Sequence, residues 1–322
     1  MSLRSSLLFT LLTLSLSLSL SLPLSVNADQ TQDLNKELRN AASVDDDEAI
    51  TRLLDAGADV NAANEFGKTA LMNAVENGNI LTTSILLSRG ADVNRETVVG
   101  LTALTFAAEN GQVELTALLL ERGAFLEART RSGLNALLLA AQYDQAEMVE
   151  QLLFKGADPN TTDKDGRTAL MIAAYRGHFG PVELLVNNGA SVRRLDSKAK
   201  NALIHAADSG KNPDIARLLI KHGAHVNYSP PDGATALIWA AGNGHTAMVE
   251  TLLEHGAEIN ARDNEGRTAL MEAVAANSEQ TVSALLATGA DTTIENIYGR
   301  NALDIAIKQG NKNIQKLLKN QG

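Results

Sequence analysis

Apolar residues recur in the same order along most of the chain. Residues 163–189, DKDGRTALMIAAYRGHFGPVELLVNNG, show one complete unit: a polar turn, a short apolar helix pattern with an alanine pair, a glycine, and a second helix pattern that ends on apolar residues. Neither helix pattern is long enough to bury its apolar side within the unit, so that side must pack against neighbouring units. The pattern predicts stacked two-helix units that share a continuous core.

The turn glycine of this unit recurs at a fixed distance. It is Gly166 in the unit above, and the equivalent residues are Gly67, Gly100, Gly133, Gly233, Gly266 and Gly299, with Ala199 where one more glycine is expected. The spacing is the same at every step except the one from Ala199 to Gly233, which is longer by a single position. A constant period in this range is typical of a solenoid. The extra residue falls within SGKNP, residues 209–213.

Helix signals repeat with the same period. Two positions after each turn residue stands a good helix N-cap: Thr69, Thr102, Asn135, Thr168, Asn201, Thr235, Thr268 or Asn301. The first helix of each unit then ends at a residue that tolerates the left-handed conformation: Gly78, Gly111, Asp144, Gly177, Gly210, Gly244, Asn277 or Gly310. These signals predict two short helices in every unit.

The units resemble ankyrin repeats. The sequences GRTALMIAAYRGH (residues 166–178) and LLEHGAEINARD (residues 252–263) carry the resemblance, which extends over roughly residues 35 to 321. It implies an all-α repeat solenoid, with a β-turn or hairpin and two antiparallel helices per unit. About eight repeats follow a partial N-terminal capping repeat. The proline usual after the capping threonine is alanine in this chain, as at Ala169, and alanine is harmless there.

Three segments are expected along the chain. Residues 29–62 form an N-terminal capping repeat with a polar outer face, and residues 63–322 form the array, which ends in a lysine-rich capping repeat. Residues 1–28 have one charge, an apolar run and small residues before Asp29, which is typical of a signal peptide. The alternative is an uncleaved N-terminal anchor, but four serines in the run weaken that interpretation.

Composition narrows the possible functions. The formal net charge is −10, which argues against nucleic-acid binding because that needs a basic surface. The chain has no cysteine, so disulfides and thiolate chemistry are excluded. No catalytic motif occurs, and the six histidines have ordinary places in the repeat, so we expect neither an enzyme, a metal site nor a cofactor. Export without cysteine favours a bacterial periplasm over a disulfide-rich extracellular module.

The resemblance implies that a partner protein is held on a concave face made of hairpin tips and first helices. The residues expected to contact it are Phe66, Lys68, Val98, Val99, Leu101, Arg131, Leu134, Tyr143, Lys164, Arg167, Tyr175 and Arg176. Apolar groups on a hairpin tip have no core to enter, which favours a partner contact. The alternative for Val98, Val99 and Leu101 is packing against neighbouring hairpins.

The expected function is that of a non-catalytic, exported and monomeric scaffold. Its partner is expected to be a periplasmic or cell-envelope enzyme, which binding would inhibit or stabilise. After signal cleavage, no stable membrane insertion is expected. The alternative is a secreted effector that acts on proteins of a host or target cell.

Overall fold

The computed structural model describes residues 28–320, and all statements on structure refer to these residues. The predicted signal peptide therefore lies outside the described part except for Ala28, and residues 321–322 lie outside it as well. Eighteen helices follow one another: α1 Ala28–Ser43, α2 Asp47–Asp55, α3 Ala70–Glu76, α4 Ile80–Ser88, α5 Ala103–Glu109, α6 Val113–Glu121, α7 Ala136–Gln142, α8 Ala146–Phe154, α9 Ala169–Arg176, α10 Phe179–Asn187, α11 Ala202–Ser209, α12 Pro213–Lys221, α13 Ala236–Gly242, α14 Thr246–Glu254, α15 Ala269–Ala275, α16 Glu279–Ala287, α17 Ala302–Gln309 and α18 Lys312–Lys319.

Helices α3 to α18 form eight successive pairs, which we call units 1 to 8. Each first helix packs against the first helices of the adjacent units, and each second helix packs against the neighbouring second helices. Contact between first helices is the more extensive, so the first helices lie on the inner side of a curved stack. Helices α1 and α2 pack against α3 and α4 at the N-terminal end of the stack. The all-helical repeat solenoid predicted from the sequence is confirmed.

The predicted helix signals act as expected. In every unit the side chain of the predicted N-cap residue accepts a hydrogen bond from the backbone N–H three residues later, as Thr168 does from Met171. The eight predicted helix-ending residues all have positive φ, including the non-glycine residues Asp144 (φ 60°) and Asn277 (φ 58°). Local sequence therefore determines where each first helix begins and ends.

The buried core consists of two clusters rather than the single continuous one that the pattern predicts. The clusters meet within α5, where Ala103 and Phe106 belong to the N-terminal cluster and Leu104 and Ala108 to the larger C-terminal one. The second helices α6 and α8 contact each other less than any other adjacent pair of second helices, which explains the division at this point.

Asparagine side chains link adjacent units behind the hairpins. Asn160 donates from Nδ2 to the carbonyl of Gly189 (3.3 Å) and accepts at Oδ1 from the N–H of Ser191 (2.8 Å). Asn61, Asn94 and Asn227 make the same pair of bonds to the following units. Each of these side chains satisfies backbone groups at a turn that has no helix or sheet partner.

We expect Asn160→Ala to lower the free energy of unfolding by about 1 kcal/mol, because it removes two hydrogen bonds to exposed backbone groups that water can replace only in part. Urea unfolding followed by circular dichroism would measure this. Asn187→Ala is the matched control, since Asn187 is exposed near the end of α10. Equal effects of the two substitutions would contradict the structural role of Asn160.

Unit 5 is the least regular unit, as its sequence indicates. Its second helix begins at Pro213, and the distance from the turn residue Ala199 is one position longer than the equivalent distance in the other units. The extra residue therefore lies where the sequence placed it. In addition, Pro231 in unit 6 has no N–H at the position where Lys164 and Asn264 donate to the preceding hairpin tip. The Tyr228 hydroxyl instead donates to the Ala199 carbonyl at 3.0 Å.

Ala199 occupies the left-handed region that glycine occupies in the other seven units, with φ 57°. We expect Ala199→Gly to raise the free energy of unfolding by about 0.5–1 kcal/mol, because the steric strain of a Cβ atom in this region is removed. Ala206→Gly in the interior of α11 is the control, and it should lower stability by about 1 kcal/mol. Thermal unfolding that shifts downwards for both variants would contradict the strain at Ala199.

Candidate protein-binding surface

The inner side of the stack presents one hairpin tip and one first helix from each unit, and we call this surface the concave face. The tips touch one another through backbone bonds, such as those from the N–H of Val98 to the Phe66 carbonyl (2.9 Å) and from the N–H of Lys164 to the Ser132 carbonyl (3.2 Å). The added Cβ of an alanine at Gly133 would lie 2.9 Å from the Lys164 nitrogen, so glycine is required for this close approach. Backbone bonds of this kind join the tips of units 1 to 5 and, separately, those of units 6 to 8.

Most of the predicted contact residues lie exposed on this face. Phe66 is 61% exposed at the first tip, and Tyr143 and Tyr175 are 44% and 46% exposed at the ends of α7 and α9. Val98 and Val99 are exposed at the second tip. The cationic residues Arg131, Lys164, Arg167 and Arg176 are exposed as well.

Three predicted contact residues are less available than the sequence suggested. Leu101 and Leu134 are half-buried, and Leu101 packs against the N-terminal core cluster, so both expose less apolar surface than expected. Lys68 is half-buried and forms an ion pair with Glu76, with its Nζ 5.1 Å from the centre of the Phe106 ring. All three directly follow a turn glycine, where the chain turns back towards the first helix.

A groove of about 280 Å³ opens on the concave face between units 4 and 5. Met171 and Ile172 from α9 contribute its apolar lining, and Tyr175 and Arg176 lie at the end of the same helix. From unit 5, the lining includes Asp196, Lys198, Lys200, His205 and Asp208. The groove is therefore lined mainly by polar and charged side chains, with a small apolar part from Met171, Ile172 and Tyr175.

Asp196 and His205 form the most buried polar pair of this groove. The carboxylate Oδ1 of Asp196 accepts from the N–H groups of Lys198 (2.8 Å) and Lys200 (2.9 Å), and Oδ2 accepts from His205 Nε2 (2.9 Å). The two side chains are only 5% and 12% exposed. Asp196 thus holds both the hairpin of unit 5 and a side chain of its first helix.

Burial shapes the charge state of this pair. Burial lowers the pKa of His205, and although the hydrogen bond to Asp196 opposes this, the pKa stays below its ordinary value. Burial raises the pKa of Asp196, but the hydrogen bonds from Lys200, His205 and Lys198 outweigh it, so the pKa lies below its ordinary value. His205 is therefore a neutral imidazole that donates its Nε2–H to an ionised carboxylate.

Lys200 and Trp239 connect units 5 and 6. The Lys200 Nζ lies 3.5 Å from the centre of the Trp239 ring and 3.3 Å from Asp208 Oδ2. Asp208 also accepts from Asn243 Nδ2 at 3.2 Å. Trp239 is half-buried and packs against the core. These side-chain contacts hold the two units together where Pro231 lacks a backbone donor.

Arg267 and Glu272 line a second groove, of about 270 Å³, beyond Trp239. Arg267 donates to Asp263 (2.9 Å) and lies 3.1 Å from Glu272. Burial raises the pKa of Glu272 above its ordinary value, although the charge of Arg267 opposes this. The charges of this groove are thus largely compensated within the chain.

Sequence reasoning missed a row of residues on this face. Six positions after each turn residue the first helices carry, in chain order, Asn73, Phe106, Leu139, Ile172, His205, Trp239, Glu272 and Ile305. The variation at this one position, among helices that are otherwise nearly uniform, is the signal that could have identified the row. Asp196 was equally hidden, because it occupies the turn position that Asp163 and Asp263 also occupy.

The described residues offer no site for a metal ion, since no three His, Asp or Glu side chains within residues 28–320 are grouped to hold one. No helix in this part of the chain is long and apolar enough to cross a membrane.

Comparison with known proteins identifies the repeat. A family model described as ankyrin repeats in three copies matches residues 38–130, 137–230, 227–296 and 263–322. A search of curated proteins finds no match. Ankyrin repeat proteins are in general non-catalytic scaffolds for protein–protein interaction. The matches extend over nearly the whole array, and the chain belongs to the ankyrin repeat family.

Proposed function

We propose that this chain is an exported scaffold that binds a partner protein on its concave face and thereby modulates a periplasmic enzyme, by inhibition or stabilisation. The observation that carries the proposal is the exposure of Phe66, Tyr143 and Tyr175 on the concave face of the array. Aromatic residues are frequent among the residues that dominate binding energy. The tips of units 1 to 5, which backbone hydrogen bonds join, would bind without the cost of ordering flexible loops.

Exposed apolar side chains also occur away from this face and provide a control. Phe154 is 86% exposed at the end of the second helix α8, and Ile80 and Leu81 are exposed at the start of α4. Phe125 is exposed in the loop after α6. If only substitutions on the concave face abolish partner binding, the binding is specific to that face and is not a non-specific hydrophobic interaction.

We expect the variant Phe66→Ser, Val99→Ser, Tyr143→Ser and Tyr175→Ser to bind the partner at least about 100-fold more weakly, because it removes several aromatic contacts. Leu101 is left unchanged because its half-burial makes it part of the fold. Capture from a periplasmic extract would identify the partner, and titration calorimetry would give the affinities. The control is Ile80→Ser, Leu81→Ser, Phe125→Ser and Phe154→Ser. Equal binding by both variants would overturn the proposed surface.

Export is tested separately. We expect the mature protein to begin at Asp29 and to fractionate with periplasmic proteins, and N-terminal sequencing of the purified chain would check this. Activity of the captured enzyme with and without the chain would distinguish inhibition from stabilisation. If the chain is found in the medium or inside host cells instead, the role of a secreted effector replaces the periplasmic one.

A further inference from the structure

We propose that the concave face of units 3 to 5 binds an acidic segment of the partner protein. The site is a cluster of four cations, Arg131, Lys164, Arg176 and Lys198, which we call the basic cluster. This inference rests on the proposed function and names the chemistry of the segment that the partner must present. No motif in the sequence indicated it, because the four residues come from three different units.

The cations of the basic cluster have no anionic partner within residues 28–320, whereas the other cations of the groove do. Arg167 contacts Asp163 at 2.8 Å, and Lys200 contacts Asp208 at 3.3 Å. Arg167 also contacts Asp165 at 3.4 Å, and the Asp196 carboxylate accepts hydrogen bonds from neutral groups only. Two carboxylate charges are therefore without a cation of their own, against four cations in the basic cluster. The charge left over around the groove is positive.

The positive charge of the basic cluster is opposite in sign to the formal net charge of the chain, which is −10. Three cluster members lie on successive hairpin tips that are joined by backbone bonds, from Arg131 to Val99, from Lys164 to Ser132 and from Ser197 to Asp165. A fixed row of unpaired cations attracts an anionic segment and repels a basic one. The negative net charge of the chain disfavours long polyanions such as nucleic acids.

Aromatic residues beside the basic cluster add an apolar component. Tyr175 borders the groove of about 280 Å³, and its ring meets the His205 ring edge to face at 6.2 Å between centroids. The groove has room for one large side chain, with Met171 and Ile172 as its apolar wall. The segment is therefore expected to carry an aromatic or large apolar residue among its carboxylates.

The test uses the mature chain with one fluorescent label. Because the natural sequence has no cysteine, Ser197→Cys gives a unique attachment point at the groove, and Ser88→Cys at the end of α4 gives a distant one. The probes are a ten-residue peptide of nine glutamates with a central phenylalanine, the same peptide with lysines, and a single-stranded oligonucleotide of equal charge.

We expect the glutamate peptide to change the signal at Ser197→Cys but not at Ser88→Cys, and to bind at least about 10-fold more tightly than either other probe. Binding should weaken as salt is raised, because exposed charges are screened. The variant Arg131→Gln, Lys164→Gln, Arg176→Gln and Lys198→Gln should bind the peptide at least about 10-fold more weakly. The control Arg52→Gln, Arg122→Gln, Lys155→Gln and Lys221→Gln, which changes exposed cations on second helices or at their ends, should bind normally.

Absence of peptide binding up to about 1 mM, equal binding of the lysine peptide, tighter binding of the oligonucleotide, or unchanged binding by the basic-cluster variant would overturn the inference. These results differ from failure of the proposed function. If a captured partner loses affinity with the serine variant but not with the basic-cluster variant, the scaffold role stands and the acidic segment is wrong. If the peptide binds at the basic cluster and no partner is captured, the preference of the cluster for acidic segments is supported and the proposed scaffold function is not.

Discussion

Replacing Asp196 with alanine should lower the free energy of unfolding by about 3 kcal/mol. The substitution removes the acceptor of three hydrogen bonds at once, from Lys198, Lys200 and His205, and hydrogen bonds to a charged group contribute about 1.5–3 kcal/mol each without being additive. It also leaves His205, which is only 12% exposed, without its partner. Urea unfolding of the mature chain would measure the loss.

The chain itself supplies the matched control for this prediction. Asn64 and Asn296 occupy the same turn position and accept the equivalent backbone bonds through their Oδ1 atoms. Asp196→Asn should therefore keep the hairpin and weaken only the interaction with His205, at a cost of about 1 kcal/mol. Equal losses for the alanine and asparagine variants would show that the hairpin bonds contribute nothing.

Acidification should destabilise this part of the array. The pKa values of His205 and Asp196 lie below their ordinary values of 6.5 and 3.8, so the unfolded chain binds protons more readily at both residues. The contribution of His205 is present above its ordinary pKa of 6.5 and is lost as pH falls from there through its lower folded pKa, and the contribution of Asp196 is lost in the same way below 3.8. Unfolding measured from pH 8 to pH 4 should show a smaller pH dependence in His205→Gln.

The second large effect is expected in the core between units. Leu185 in α10 is fully buried in the larger cluster, and Leu185→Ala should lower the free energy of unfolding by about 2–5 kcal/mol because it leaves a cavity. Leu81→Ala in α4 changes a side chain that is 59% exposed and should cost less than about 0.5 kcal/mol. In a stack of repeats each unit contacts only its neighbours, so the lost stability of unit 4 affects units 3 and 5 first. The rate of backbone amide hydrogen exchange should therefore rise most in units 3 to 5. A uniform rise along the chain would contradict coupling by nearest neighbours.

The fold could be predicted because its signals are local. Thr168 as an N-cap and Gly177 or Asp144 as a helix end act through their own backbone, so the sequence of one unit defines its helices. The division of the core at α5 could not be predicted, since it depends on how far α6 and α8 separate in space. Repetition then extends each local prediction along the whole array.

The candidate surface could be predicted only in part. Register alone placed Phe66, Tyr143 and Tyr175 on the concave face, because equivalent positions point the same way in every unit. Register did not reveal that Leu101 and Leu134, each directly after a turn glycine, are half-buried, whereas Arg167 at the same position is exposed. The partners of Asp196 and Lys200 were also hidden, since His205 and Trp239 are brought to them by packing within and between units.

Site-specific photo-cross-linking is the most direct test of whether the concave face binds the partner. A benzoyl-phenylalanine would be placed at Phe66, Tyr143 or Tyr175 and, for comparison, at Phe125 or Phe154, and cells would be irradiated before adducts are identified by mass spectrometry. We expect one partner protein to be captured from the three concave positions and not from the other two. Capture only from Phe125 or Phe154, or from none of the five, would contradict the account.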